Sequence, residues 1–425
     1  MSRLASRHAR PDAPSPGSGF VVAVHDDLAP LAALWPRGAG ADEAAACHVF
    51  QTADFIACWR ETYGRATKAR AVFVHVSEPD GTPLLLLPLT IVSQGAARVL
   101  TFLDATACDY NAPVLFPTAR AWNPGMAAPL WEAVKAALPP IDLVVLEKMP
   151  AAVGDRINPL YLLSETANPE SCHLNDLARP WAEIEQDIHG LRTLRKKVRA
   201  LERIAPTRLV VAETAEDRSA LLAVLLAQKQ RRFEETEVPG FDAHPEKRAF
   251  FERATEAFAA RGGLHLSALQ VGTEVVACAW GLVHGRHYYG LMIGFEAGDW
   301  ARHSPGRILY LELMRALHAQ GCTVLDLGIG DEAWKLAQSD RTVPLRVHTE
   351  VVGWRGLAHL RLQGAVARLR RSTPWQRLRP YKWRILRSLR GAEENRGGAS
   401  ETAGRAGGAP SRDAGDRTDG GGAAP

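Results

Sequence analysis

The most constraining feature of the chain is a run of three apolar segments closed by two-residue glycine loops. LHLSALQV (264–271), EVVACAWGLVH (274–284) and HYYGLMIGF (287–295) are joined by Gly272-Thr273 and Gly285-Arg286. Loops of this kind suit type II′ turns, whose twist matches the strands they connect, so a three-stranded antiparallel meander is expected. A helix is expected next, in SPGRILYLELMRALHAQG (304–321). Ser304 suits the N-cap, Pro305 the first helical position and Gly321 the C′ position. Tyr310, Leu313, Met314 and Leu317 follow the i, i+3, i+4, i+7 spacing of a buried stripe. A final strand, CTVLDLGIG, ends at Gly330. Meander, helix and strand imply an α/β layer with a cleft at the strand ends.

The 425 residues suit two or three domains. One α/β block is read over 45–165. It holds an opening helix in HVFQTADFIACWRETYG, a hairpin about Asp80-Gly81, a strand ARVLTFLDA, a helix from about Pro124 to Leu138 and a strand IDLVVLEKM. A second block is read over 180–350. It opens with one long helix in PWAEIEQDIHGLRTLRKKVRALER, then a strand TRLVVAET and two further helices before the meander. Residues 1–19 and 391–425, rich in Pro, Ser, Gly and Ala, are expected to be disordered. Residues 355–390 hold eleven Arg and Lys, no Asp or Glu, and interspersed Leu and Trp, as a basic amphipathic segment lying on an anionic membrane would.

The six cysteines form no C-x-x-C pair, which favours reduced, buried thiols over a disulfide framework or a zinc site. The basic start lacks an apolar core of the signal-peptide kind, and no apolar run approaches the length of a membrane span. The expected location is cytoplasmic, with peripheral contact at the inner face of the membrane. No metal-ligand spacing is present and none is expected.

Two stretches carry the candidate chemistry. At WARHSPGR a helix start stacks Arg302, His303 and Arg307 on its own positive end, beside Ser304 and a close-approach glycine, Gly306. Such an end suits an anion. At the end of the last strand, Asp326, Gly330, Asp331, Glu332, Trp334 and Lys335 crowd within ten residues. Asp331 or Glu332 is a candidate base, and Lys335 a candidate partner for a substrate anion. A stripe of Arg192, Arg195, Lys196, Arg199 and Arg203, extended by Lys229, Arg231 and Arg232, suits phosphate, an anionic glycan or lipid, or tRNA.

These stretches resemble the GNAT acetyltransferase superfamily, in its CelD-like branch related to FemAB. Members show S-P-G before a long helix, then a strand ending D-x-x-x-G-D with an aromatic-Lys pair. Asp326, Gly330, Asp331, Trp334 and Lys335 match that pattern, and the opening Phe, Trp and Tyr-Gly of HVFQTADFIACWRETYG match the usual start. The resemblance spans roughly 45–350. It implies tandem GNAT-like mixed-sheet domains with flanking helices, an α/β (α+β) fold. It also implies direct acyl transfer from acetyl-CoA or another acyl-CoA to an amine or hydroxyl of a sugar, amino sugar or amino acid, in exopolysaccharide (cellulose) or envelope assembly. The donor would lie near Ile293, Gly294 and Phe295, with its phosphates at Arg302, Ser304, Gly306 and Arg307. Asp331, Glu332, Lys335 and Tyr288 would be catalytic, and Asp326, Gly330, Trp334 and Lys229 would face a small-molecule or glycan acceptor. The stretch Arg302 to Arg307 departs from the glycine-rich pyrophosphate loop common in the superfamily, as FemAB relatives do. Aminoacyl-tRNA therefore stands as an alternative donor, and a non-catalytic scaffold for a membrane-associated synthase as a second alternative.

Overall fold

The computed structural model describes residues 19–38, 40 and 44–371. In chain order come β1 (Val21–His25), α1 (Ala53–Trp59), a π turn (Arg60–Gly64) and α2 (Arg65–Thr67). Then follow β2 (Arg70–Ser77), β3 (Pro83–Gln94), β4 (Ala97–Phe102), β5 (Val114–Leu115), α3 (Pro124–Ala137), β6 (Leu143–Pro150) and a small hairpin of β7 (Ala152–Val153) and β8 (Arg156–Ile157). The chain continues through β9 (Cys172–Asp176), α4 (Trp181–Asp187), α5 (Leu191–Glu202), β10 (Thr207–Val211), α6 (Ala215–Glu235) and α7 (Pro245–Ala259). It ends with β11 (Leu264–Val271), β12 (Glu274–His284), β13 (His287–Phe295), α8 (Pro305–Ala319), β14 (Val324–Ile329), α9 (Ala333–Gln338), β15 (Arg341–Val343), β16 (Leu345–Val351) and α10 (Trp354–Arg371).

Two mixed sheets, each seven-stranded among the described residues, carry the fold. The first runs β1-β2-β3-β4-β6-β16, with β5 added beside β3; the second runs β10-β11-β12-β13-β14-β9-β15. The meander forms as its turns dictate: Gly272 and Gly285 both sit at φ +61°, which glycine adopts without steric cost. The sheets exchange strands across the sequence. β9 enters the second sheet ahead of its helices, and β16 returns to the first sheet to pair antiparallel with β6, Leu345 opposite Pro150 and Val351 opposite Leu143. Strand β1 likewise lies before the start of the 45–165 block.

The long helix expected at the opening of the second block is two helices. Gly190 at φ +69° breaks it between α4 and α5, because a left-handed residue cannot continue the ladder. Ser304 also departs from expectation. It occupies the N-cap of α8 at φ +54°, but its hydroxyl caps nothing; it accepts instead from Lys197 Nζ.

One apolar core spans both sheets. Phe73 and Leu86 of the first sheet, Phe55 and Trp59 of α1, Leu225 of α6, Phe250 of α7, and Trp280, Leu282 and Tyr289 of the second sheet belong to the same cluster. The far face of the first sheet packs on α3 through Leu130 and Trp131. The far face of the second sheet packs on α5 and α8 through Leu194, Leu201, Ile308 and Leu317. All six cysteines are buried. Among the described residues no helix is long and apolar enough to cross a membrane. The expectations for 1–18, 372–390 and 391–425 lie outside the described residues.

Candidate active site

Strands β13 and β14 run parallel for three residues only, the last pair being Tyr289 and Asp326. Beyond it the strands part. A bulge in β13 drives the separation: Trp280 faces Met292 while Gly281 faces Gly290, so Leu291 is the extra residue. An extra residue bends the strand that carries it. The result is a V whose apex is Asp326, with Gly290–Phe295 along one arm and Leu327–Gly330 along the other. At Gly290 a Cβ would lie 3.1 Å from the Asp326 carbonyl oxygen, so the apex closes this tightly only around glycine.

Helix α8 begins at the open end of the β13 arm, where Gly306 lies against the Phe295 ring. Its first turn holds no acidic residue. Lys197, Arg302, His303 and Arg307 surround that end. Arg307 Nη2 donates to the His189 carbonyl at 2.7 Å, while its Nε is buried with no hydrogen-bond partner among the described residues. Burial first, then Arg302 and Lys197, push the His303 imidazole toward its neutral form. A helix N-terminus ringed by cations and lacking a carboxylate is an anion-binding end.

The apex is polar and buried. Asp326 is 1% exposed and accepts from Tyr110 Oη at 2.7 Å, from the Gly328 N–H at 2.8 Å and from His287 Nε2 at 3.1 Å. His287 stacks on Tyr289 with ring centres 3.9 Å apart, and the Tyr289 hydroxyl meets His48 Nδ1 at 3.1 Å. Burial, then His287 and His284, push His48 down to about 3, so it stays neutral. Burial, then the Asp326 charge, hold the Tyr110 hydroxyl protonated far above its usual range.

A second carboxyl reaches the β14 arm from the loop between β4 and β5. Asp109 Oδ2 lies 2.6 Å from the place a Cβ on Gly328 would occupy, and Gly328 sits at φ +73°. Burial, with the Asp326 carboxylate next in weight, pushes Asp109 up to about 7; the Ile329 N–H, Lys335 and Lys148 pull the other way. The loop that carries Asp109 is lashed in place. Lys148 Nζ donates to the Cys108 carbonyl and pairs with Asp104, both at 2.8 Å. Asp104 also accepts from Cys108 N–H and from Asn111 Nδ2, and its carbonyl accepts from Trp59 Nε1. Ala105, Thr106 and Lys148 all hold positive φ, at 47°, 68° and 60°. Such strain costs on the order of 1–3 kcal/mol per residue and gathers where a fold holds a working group in place.

At the end of the same arm Asp331 is engaged. His173, fully buried on β9, meets Asp331 Oδ1 at 2.9 Å through Nε2 and Thr342 Oγ1 at 3.2 Å through Nδ1. The His173 contact holds the Asp331 carboxyl below its usual range. Glu332 pairs with Lys335 at 3.2 Å, and Lys335 is buried, donating to the Ile329 carbonyl at 2.5 Å. Trp334 is 43% exposed beside it. Lys229 stands on α6, with its Nζ 5.6 Å from the centre of the Phe233 ring.

Of the residues nominated from sequence, Ile293, Gly294, Phe295, Arg302, Ser304, Gly306 and Arg307 line the β13 arm and the α8 start, and Asp326, Gly330, Asp331, Glu332, Trp334 and Lys335 the apex and the β14 arm; Lys229 lies on α6, the helix whose Leu225 and Gln228 press on Gly294. Tyr288 stands apart. It belongs to the core on the α8 face, 1% exposed, with its ring over Gly281, and the hydroxyl at the apex is that of Tyr110. Asp109, Tyr110, His48, His173 and His287 were not singled out from sequence. The one available signal was the polar run Asp104–Asn111 set between buried strands. Two open clefts, of about 620 Å3 at the π turn and about 650 Å3 beside Asp176 and Asp340, include no residue of the V arms. Among the described residues no group of three or more His, Cys, Asp or Glu is placed to hold a metal ion.

Residues 189–336 match the family model of the acetyltransferase (GNAT) domain. FemX shares the fold: at 11% identity its structure superposes with a TM-score of 0.51 over 74% of this chain and 94% of FemX. A tandem GNAT protein from the clavulanic acid pathway matches at 12% identity and TM-score 0.37, over 76% of this chain and 92% of its own. The C-terminal domain of a putative lysylphosphatidylglycerol synthetase from Agrobacterium fabrum matches at 14% identity and TM-score 0.41, over 68% and 86%. At those lower scores the last two add no weight. No curated protein sequence matches.

Proposed function

From the premise that this chain belongs to the GNAT superfamily, in its FemAB-related branch, and is an acyltransferase, we propose that it moves an acyl group directly from acyl-CoA to an amine or hydroxyl, with Asp109 as the base. The observation that carries the reading is a single V with a buried carboxyl, Asp109, against Gly328 near its apex and a cationic helix end at its open arm.

In this reading the thioester lies along the β13 arm with its phosphates at the α8 start, held by Arg307, Arg302 and Lys197. Backbone N–H groups of β13 beyond Tyr289, turned toward the gap, polarise the thioester carbonyl. The acceptor nitrogen or oxygen attacks, forming the new C–N or C–O bond, and Asp109 takes its proton. The C–S bond then breaks. The thiolate leaves and takes up a proton, delivered by protonated Asp109 or by water. Tyr110 and Asp326 hold the apex and keep its polarity fixed; the Tyr110 hydroxyl retains its proton throughout.

The acceptor class is a sugar, amino sugar or amino acid, and exopolysaccharide or envelope assembly remains the proposed setting. Peripheral membrane contact through 355–390 is part of the same proposal. The exposed Val351, Val352 and Trp354, the last 75% exposed, stand at its start. A second donor, aminoacyl-tRNA, is favoured by one observation: Arg192, Lys196, Arg199 and Arg203 form an exposed stripe along α5 with no ion pair among the described residues.

Titration calorimetry with acetyl-CoA and with tRNA separates the donors. Micromolar acetyl-CoA binding that is lost in Arg307→Ala and kept in Asp109→Asn supports the reading. Binding of tRNA alone, falling steeply with salt, moves the donor to aminoacyl-tRNA. Binding of neither leaves the scaffold alternative standing.

A further inference from the structure

The open cleft at the π turn belongs to neither arm of the V. It lies where β1 ends, β2 begins and the chain passes from α1 through the π turn to α2. Its volume of about 620 Å3 falls inside the roughly 300–1,000 Å3 range of small-molecule sites. One wall is fixed. Trp59 is 2% exposed, and its ring lies against Gly64, where a Cβ would stand 3.1 Å from Cζ3. Its Nε1 donates to the Asp104 carbonyl at 2.8 Å. π turns are rare and occur mostly at functional sites.

Asp26, Arg60, Glu61, Arg65 and Arg70 bring charge to the lining of this cleft. Two of them are held from outside it. Both Nη atoms of Arg60 donate to Asp27 Oδ2 at 3.2 Å, and Glu61 pairs with Arg253 of α7. The side chains of Arg65 and Arg70 make no ion pair or hydrogen bond among the described residues, and the same holds for Asp26. The open charge of the lining is therefore two guanidiniums against one carboxylate. A guanidinium is a planar fork of donors that fits both oxygens of a carboxylate or phosphate. Two such forks on one cleft, neither engaged by the protein, suit an oxyanion. The Asp26 carboxylate disfavours an extended polyanion and can accept from a hydroxyl or amine of the same ligand.

We propose that this cleft is a second ligand site, for a small molecule whose phosphate or carboxylate is held between Arg65 and Arg70. No residue of the V lines the cleft, so occupancy here does not depend on the acyl donor.

The test uses the whole wild-type protein and needs no known ligand. Arginines are modified with a limiting amount of the neutral reagent phenylglyoxal and quantified by peptide mass spectrometry. Modification is compared in sodium chloride, inorganic phosphate and sodium acetate at equal ionic strength. Phosphate and acetate are used at about 50 mM, above the roughly millimolar Kd expected of a small ion held by two arginines. The expected result is that phosphate or acetate slows modification of both Arg65 and Arg70 about threefold or more, while exposed Arg208 is unaffected. Protection by phosphate alone supports a phosphorylated ligand, protection by acetate alone a carboxylate, and protection by both supports the oxyanion site without preference. Modification of Arg65 and Arg70 that is the same in all three salts overturns the proposal. The Arg65→Ser variant asks whether the two arginines share one ion. Arg65 is exposed and its side chain has no partner among the described residues, so the fold should survive the change. Arg70 is expected to lose its protection in that variant. Protection of Arg70 that persists there means that each arginine attracts anions by itself, and overturns the shared site.

Discussion

At the scale of single residues, Asp109 and Asp331 are both carboxylates near the β14 arm, and their surroundings give them opposite behaviour. Asp109, raised to about 7, holds its proton in the folded protein at pH values where the unfolded chain has released it. Its contribution to stability is full below the unfolded value of 3.8 and is lost as pH rises through about 7. Asp109→Asn removes that pH-dependent loss. The variant is expected to gain more in melting temperature, relative to wild type, at pH 8 than at pH 5, as scanning fluorimetry would report. In the transferase assay the same change is expected to lower kcat/KM by about 10²–10⁴ and to erase an acid limb centred near pH 7. Asp331→Asn should behave otherwise. It loosens the His173 contact, costing stability while leaving the acid limb in place; a vanished limb in that variant would make Asp331 the base. Asp326 and Lys335 could be nominated from the sequence because they sit where a strand ends in glycines and charge. Asp109 could not, because nothing local distinguishes it; its partner Gly328 lies more than two hundred residues away.

At the scale of elements, the meander and α8 follow from turn chemistry and apolar period, which act over a few residues. Strands β9, β15 and β16 do not announce themselves. CHLND, RTV and LRVHTEV are short and half polar, and they are strands because neighbouring edges accept them. The glycines of the V were legible as residues but not in their function, which depends on the facing side chain. Gly281 and Gly306 make the contrast measurable. A Cβ at Gly281 would stand 2.2 Å from Tyr288 Cζ, and that ring is 1% exposed with nowhere to move. Gly281→Ala should therefore cost about 2–4 kcal/mol in a urea melt. At Gly306 the nearest atom is Phe295 Cδ1 at 3.0 Å, on a ring 45% exposed that can turn outward. Gly306→Ala should change stability by less than about 1 kcal/mol yet weaken acetyl-CoA binding by covering the helix end.

At the scale of the molecule, the shared core joins the sheets through polar groups as well as apolar ones, and this makes the fold sensitive to acid. Tyr110 meets Asp326 across 216 positions of sequence and His48 meets Tyr289 across 241, contacts that no local pattern foretells. His48 is held near 3 and His265 near 4, in each case chiefly by burial, and His284 is shifted the same way. Among the described residues, both ring nitrogens of His265 lack a hydrogen-bond partner. Below the ordinary histidine value of 6.5 the unfolded chain takes up protons that these folded imidazoles refuse. The stability they contribute is complete above 6.5 and falls as pH drops toward 4. Asp109 opposes this with one proton, held by the fold below about 7. The histidines outnumber it, so the unfolded state binds at least about one net proton more through this window. Stability should then fall by about 1.4 kcal/mol or more per pH unit between pH 6 and 4.5. Urea melts across that range measure the slope. His265→Phe takes away one titrating group whose nitrogens bond to nothing, so it should flatten the slope by roughly one proton and raise stability at pH 5 without altering it much at pH 8. A slope that stays the same in His265→Phe would mean that this histidine is already protonated in the folded protein and that the acid sensitivity arises elsewhere.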